Sequence, residues 1–326
     1  MGFFRKLCAA AALFSAPLMG AAATCTSQAE MSSQDRDLVS GTALRLTAAA
    51  QQQDYAALQA ALLPAEASEW NTIQAAAQNA STLLAGGRIK LRNLYLLDAS
   101  METAPAEAQF FCTNASGSLT VTITMHQLPP GRYAVALADG VGAKLAGQVG
   151  LVLAWDNVAP GWKLAGLSAR QGEFDGHDGV WYWTQGRSLA HGDPWSAWYS
   201  DDAARYLLIP VNFLVSPNLQ KLNQEQDQIQ PSPPKQLPLN LPQGDRTWKV
   251  DSVYLDPSLH EPDLAVVYES TGVTDPAALR TEATSVLSAF LKAQPGIRAN
   301  FHGLWAIAEK NGKRNAVMEL PMSQIP

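Results

Sequence analysis

The sequence predicts an α+β protein: helices packed on a curved antiparallel sheet, followed by a helical hairpin and a small C-terminal α+β domain. Three observations carry this. Between Lys90 and Ser168, short apolar segments with β-type alternation follow one another with turns between them. The stretch from Gln34 to Gly86 is instead alanine-rich, with apolar residues at helical spacing. Beyond residue 246, strand patterns flank a single capped helix.

The clearest strand is Ser118 to Gln127. There Leu119, Val121, Ile123 and Met125 point one way, and Thr120, Thr122, Thr124 and His126 the other, as a half-buried antiparallel strand requires. Leu91 to Asp98, Gln109 to Asn114, Arg132 to Asp139, Ala146 to Trp155 and Trp162 to Ser168 are similarly apolar. Turn formers at Asn114, Pro129-Pro130-Gly131, Gly140 and Pro160-Gly161 separate them, so a meander is expected. Before it, Val39, Ala43, Leu46 and Ala50 mark a helix from Asp35 to about Gln53. A second runs from Asp54-Tyr55 towards Pro64, and a third from Glu66 to Leu84, ended by Gly86-Gly87. These helices are expected to cover one face of the sheet.

This order, with the phrase Leu46-Thr-Ala-Ala-Ala-Gln-Gln-Gln-Asp-Tyr-Ala-Ala-Leu58 and the closing Gly161-Trp162-Lys163, resembles the cone-shaped superfamily named for nuclear transport factor two, which includes ketosteroid isomerase-like enzymes. The resemblance covers residues 34–170 and implies a cone-like α+β domain. The superfamily holds isomerases, dehydratases and secreted domains without activity, so it assigns no reaction. Its enzymes carry an Asp or His base inside the cone with a Tyr or Asp opposite; here Asp98, His126 and Tyr133 are the candidates, with Asp139 near them.

Residues 178–222 read as a helical hairpin. Trp181 to Pro210 resembles one tetratricopeptide unit, with Gly192-Asp193 at the turn and Ala197 and Ala204 as the small residues between paired helices; Gln185 and Asp201 depart from the pattern. A lone repeat must rest on something else, and the preceding sheet is the expected support. Trp181, Tyr182, Trp183, Trp195, Trp198, Tyr199 and Tyr206 are either a binding surface for aromatic or sugar groups or an inter-module core; their helical spacing favours the core. Residues 223–245, rich in Gln and Pro, read as an extended linker, with a strap lying against a domain as the alternative. From Arg246 to Pro326 the expectation is strand, strand, helix, strand, strand. The helix starts at Asp275-Pro276, its stripe is Leu279, Ala283, Val286, Leu287 and Phe290, and one sheet face is left for docking.

The N-terminus has Arg5-Lys6, an apolar run from Leu7 to Met19 and Ala21-Ala22-Ala23, the pattern of a cleaved secretory signal over residues 1–23. That run is too short to span a bilayer. Cys25 and Cys112 then remain as a pair in an oxidising compartment, where a disulfide is expected. Two alternatives stand: free thiols, or a lipid anchor at Cys25. Thr24 before Cys25 speaks against the anchor. Without Arg5 and Lys6 the chain has 21 basic and 29 acidic residues, a net charge near −8, and no basic run, which argues against nucleic-acid binding.

No nucleophile elbow, phosphate loop, dinucleotide fingerprint or His-Glu-x-x-His motif is present. The histidines, His126, His177, His191, His260 and His302, lie in separate segments. Glu173, Asp175, His177 and Asp178 form the densest acid and imidazole cluster. It is read as a glycine-bearing turn with Asp178 capping the next helix rather than as a metal site. The looser Asp256, His260, Glu261 and Asp263 read as a loop. No cofactor or metal is expected. The sequence therefore points to an exported, non-catalytic binding or interaction protein of the bacterial cell envelope, periplasmic or secreted, whose partner is a protein or a small ligand. The alternative is an isomerase- or dehydratase-like enzyme using the cone's interior.

Overall fold

Ser32 accepts a hydrogen bond from the Asp35 N–H (3.0 Å) and so opens helix α1, Ser33–Gln51, whose Val39, Ala43, Leu46 and Ala50 are buried along one stripe as predicted. Asp54 caps α2, Tyr55–Ala60, in the same way, and a 3-10 turn at Pro64–Glu69 leads into α3, Trp70–Leu83. The computed structural model describes residues 23–99, 106–114 and 116–326. Residues 1–22 of the predicted leader lie outside them.

The helices cover a five-stranded antiparallel sheet. It is built from β1 (Thr24–Ser27), β2 (Arg88–Asp98), β5 (Arg132–Val141), β6 (Gly147–Asp156) and β7 (Gly161–Gln171), in that order across the sheet. The predicted meander is corrected here. Strands β3 (Glu107–Thr113) and β4 (Thr120–His126) leave the main sheet, and β5 pairs with β2. The physical reason is in β5, where Tyr133-Ala-Val-Ala-Leu-Ala138 is buried on both faces and so needs cover on both. Helices α1 and α3 cover one face, over Leu94, Ala134, Ala136, Val149, Leu151, Leu153, Trp162 and Leu164. The β3–β4 hairpin lays Phe110, Val121, Ile123 and Met125 on the other, over Tyr95, Leu97, Val135 and Leu137. A disulfide joins Cys25 on β1 to Cys112 on β3, so the predicted bridge ties the edge of one sheet to the other.

A short hairpin of β8 (Glu173–Phe174) and β9 (His177–Asp178) precedes helices α4 (Gly179–Leu189) and α5 (Pro194–Leu208). Asp178 caps α4 as expected, and Asp193, placed by the sequence at the turn, also caps α5. Gly186 is where the two helices approach: a Cβ there would lie 2.3 Å from Asp201 Oδ1. The hairpin's main support is the C-terminal unit rather than the preceding sheet. Trp195 sits edge-on to Phe290, and Tyr199 donates to the Val253 carbonyl (3.1 Å). Towards the first unit the contacts are fewer, with Gln148 donating to the Leu207 carbonyl (2.7 Å). Strand β10 (Leu214–Val215) then adds to β4.

The expected linker over 223–245 is also corrected. It contains the end of α6 (Pro217–Asp227), the short α7 (Pro233–Gln236) and β11 (Leu239–Gln243), which pairs with β12 (Arg246–Asp256). Prolines are tolerated on an edge strand because one side of its ladder is unpaired. The remainder has the expected order of strand, strand, helix, strand, strand, with an additional single-turn helix before the third strand. Strand β13 (Asp263–Glu269), α8 (Pro276–Ala293), the single-turn α9 (Ile297–Asn300), β14 (Gly303–Lys310) and β15 (Lys313–Pro321) give a sheet ordered β11-β12-β13-β14-β15. Strands β13 and β14 are parallel because α8 carries the crossover, and Asn311-Gly312 form the β14–β15 turn at positive φ. Ala283, Val286, Leu287 and Phe290 of α8 are buried against this sheet. The opposite face, expected to be left for docking, is not open along its centre: Ala265, Val267 and Ile307 are buried and Trp305 packs against them.

Candidate functional site

The three cone candidates are not brought together. Tyr133 is buried and donates to the Pro129 carbonyl (2.8 Å). His126 is exposed at the end of β4, with Nδ1 3.9 Å from Glu107. Asp98 is exposed at the end of β2, opposite Arg132 in the ladder. Asp139 pairs with Arg92 at 3.4 Å. Both faces of the five-stranded sheet are filled by aliphatic and aromatic side chains where a reaction chamber would have to be.

Concavities of about 280 Å³ beside Arg92 and Asp139 and of about 190 Å³ between β2 and the β3–β4 hairpin lie at the first unit, and neither is lined by Asp98, His126 or Tyr133; acid, imidazole and aromatic groups gather instead where β8–β9 and α4 meet the C-terminal unit. A groove of about 470 Å³ is lined by Asp175, His177, Trp181, Tyr182 and Gln185 from β8–β9 and α4, and by Glu261, Asn300, Phe301 and His302 from the C-terminal unit. Local geometry places each. Asp175 (φ 47°) and Gly176 (φ 75°) make the tight β8–β9 turn, which holds Asp175 and His177 at the rim. Asp178 is spent on capping, its Oδ1 accepting the Trp181 N–H at 2.8 Å. His177 stacks on Trp181 with ring centroids 3.9 Å apart and planes 12° from parallel, leaving an indole that is 41 % exposed. Gln185 donates to Asn300 Oδ1 (3.2 Å) across the groove. Gln171 donates to the His260 carbonyl (2.9 Å) and so holds the Pro257–Pro262 loop against the first unit.

The charges here are strained by burial. Burial lifts the Glu261 carboxyl above its usual range, the His302 charge opposing it. Burial acts to lower the His302 pKa, but its hydrogen bond to Asp263 (Nδ1 to Oδ1, 2.9 Å) and the charges of Asp263, Glu261 and Glu319 outweigh it and raise the value. Asp263, fully buried, and Glu319 are both pushed up, chiefly by burial.

Of the residues singled out in the sequence, the groove collects Trp181 and Tyr182 with Asp175 and His177 from the glycine-bearing turn and Glu261 from the separate loop over 256–263. Asn300 and Phe301 carried no site signal and His302 only that of an isolated histidine, because only the packing of the C-terminal unit under α4 makes them neighbours of the other groove residues. The aromatic cluster divides as well: Tyr182, Trp183, Trp195 and Tyr199 are core, and Trp181 is surface.

A second concavity, of about 300 Å³, lies beside Gly186, Arg187, His191, Asp201 and Glu225. Asp201 is buried with Oδ1 unpartnered, and burial, with the charges of Asp202 and Glu225, pushes its pKa up to about 7 against the pull of Arg205 and Arg187. The native state thus keeps a proton that the unfolded chain releases near pH 4, so stability falls as pH rises from about 4 to about 7. Asp201→Asn is expected to stabilise the protein at pH 8, by about 4 kcal/mol at most, and to change little at pH 4, as read by urea unfolding across pH.

Compared with protein-family models, with curated proteins and with solved structures, the chain has no match. Among the described residues no helix is long and apolar enough to cross a membrane. The disulfide fits an extracytoplasmic location.

Proposed function

We propose that this chain is an exported, non-catalytic binding protein of the cell envelope, and that its ligand surface is the groove between α4 and the C-terminal unit. The observation that carries this reading is the groove's composition. An exposed indole backed by a stacked imidazole gives a flat apolar platform, and carboxylates and amides from both walls converge on it. A saccharide unit fits that chemistry: the C–H face of a sugar ring packs on the indole while its hydroxyls take Asp175, Gln185, Glu261 and Asn300. Export rests on the leader pattern at residues 1–23 and on the Cys25–Cys112 bridge. The bridge also engages the sulfur that a lipid anchor would need, which favours a protein free in the periplasm or medium.

Thermal-shift and calorimetric titration with a panel of envelope oligosaccharides tests this. The expected result is saturable stabilisation by one class of glycan, lost in Trp181→Ala and retained in Tyr133→Phe. Stabilisation that survives Trp181→Ala and disappears in Tyr133→Phe would move the site into the first unit and restore the enzyme reading. The absence of any saturable glycan would refute the saccharide assignment.

A further inference from the structure

Three residues on or beside three adjacent strands meet at one end of the C-terminal sheet, behind the groove. Asp263 begins β13, His302 immediately precedes β14, and Glu319 lies on β15 opposite Trp305. Each presents a ligand atom, a carboxylate oxygen or an imidazole nitrogen, and these atoms lie within 4.8 Å of one another. The geometry points to a divalent transition-metal site formed by Asp263, His302 and Glu319, with its open coordination positions facing the groove.

Four features support this. Asp263 is fully buried, yet its Oδ2 has no hydrogen-bond partner. Glu319 Oε1 is likewise buried and unpartnered. Buried carboxylate oxygens are rarely left in that state, because desolvation without a compensating donor or cation is costly. Next, His302 Nδ1 and Asp263 Oδ1 share a 2.9 Å hydrogen bond in the metal-free protein, so both already point into one space, and ligands about 2.1 Å from a tetrahedral ion stand about 3.4 Å apart, a small separation from there. Finally, position 303 is glycine: a Cβ there would stand 2.3 Å from Glu319 Oε1 and 3.0 Å from Asp263 Oδ1, inside the space between the carboxylates.

The donor set decides the kind of ion. One imidazole with two carboxylates suits Zn²⁺ or Mn²⁺, whereas Ca²⁺ asks for six to eight oxygens and does not favour imidazole. Two carboxylates also neutralise a divalent charge when His302 binds as the neutral imidazole. His302 is the member that reaches the groove, beside Glu261 and Asn300. Three protein ligands with a solvent-facing remainder is the arrangement of an open zinc site rather than a closed structural one. The site stands independently of the saccharide reading, since the metal alone is the probe.

The test is calorimetric titration of the purified, chelator-treated protein with Zn²⁺, with Ca²⁺ in parallel. The expected result is one equivalent of Zn²⁺ bound, a rise in Tm, and no saturable Ca²⁺ binding. His302→Ala and Glu319→Gln should each weaken Zn²⁺ at least tenfold, while the pair Asp175→Asn and His177→Ala, at the groove's rim, should leave it unchanged. His302 is half-exposed, so its variant is expected to fold, and circular dichroism of the metal-free forms verifies that. Absence of stoichiometric Zn²⁺ binding overturns the assignment. So does binding that survives both His302→Ala and Glu319→Gln, or that is lost with the rim pair.

Discussion

Reducing the Cys25–Cys112 bridge is expected to lower the unfolding free energy by about 4–5 kcal/mol in the chain-entropy model, because the bridged residues are 87 apart in sequence and the constraint acts on the unfolded chain. The location adds to the effect. β1 holds only four residues at the edge of the main sheet, and the bridge fastens it to the β3–β4 hairpin that covers the reverse face. Urea unfolding with and without reductant, and of the double variant Cys25→Ala with Cys112→Ala, measures this. A midpoint that does not move would mean that the two sheets are held together by packing of Phe110, Ile123 and Leu97 alone. Non-reducing mass analysis of exported protein should show the bridge intact; two free thiols there would contradict it.

Trp195→Ala is the second large effect, at about 3–5 kcal/mol for removing a buried indole. Trp195 is 3 % exposed, lies 5.6 Å from the Phe290 ring centroid and 6.0 Å from that of Tyr199, and has no hydrogen bond to its Nε1, so what is lost is packing between α5 and the C-terminal unit. Tyr199→Phe removes only the donation to the Val253 carbonyl and is expected to cost about 1 kcal/mol. The two together separate contact area from hydrogen bonding at one interface. Because that interface positions α4, Trp195→Ala should also raise amide exchange at the groove walls, residues 175–185 and 297–303. Unchanged exchange there would mean that the hairpin is held chiefly by its contacts with the first unit and α6.

Much of the fold was legible because its signals are local. The α1 stripe of Val39, Ala43, Leu46 and Ala50, the Asp178 cap, the Gly192-Asp193 turn, the Asn311-Gly312 turn and the α8 stripe each need only a few neighbouring residues to be read. The departure of β3–β4 from the main sheet is non-local. Alternation along Ser118 to Gln127 shows that one face is buried, and nothing in it says which sheet does the burying. The uninterrupted apolar run from Tyr133 to Ala138 was the available clue that a second layer existed. Short edge strands were missed for another reason: β1 and β11 are recognised by backbone pairing, and Leu239 to Gln243, with Pro242 inside it, has the composition of a linker.

The groove was the least legible part. Asp175 and His177 lie far along the chain from Glu261 and His302, and they converge only because Trp195 and Tyr199 seat the hairpin on the C-terminal sheet. The same holds for Asp263, His302 and Glu319, which the parallel β13–β14 and antiparallel β14–β15 pairings bring into register. Isolated histidines in a sequence carry little weight until a sheet lines them up with carboxylates.

The central claim is that binding takes place in the groove while the first unit's interior is filled. Crystals soaked with a panel of monosaccharides and small aromatic fragments test it most directly. The account predicts ordered density over the Trp181 indole, within reach of Glu261 and Asn300, and none between the five-stranded sheet and the β3–β4 hairpin. Fragment density beside Tyr133, between those two layers, with an empty groove would contradict it.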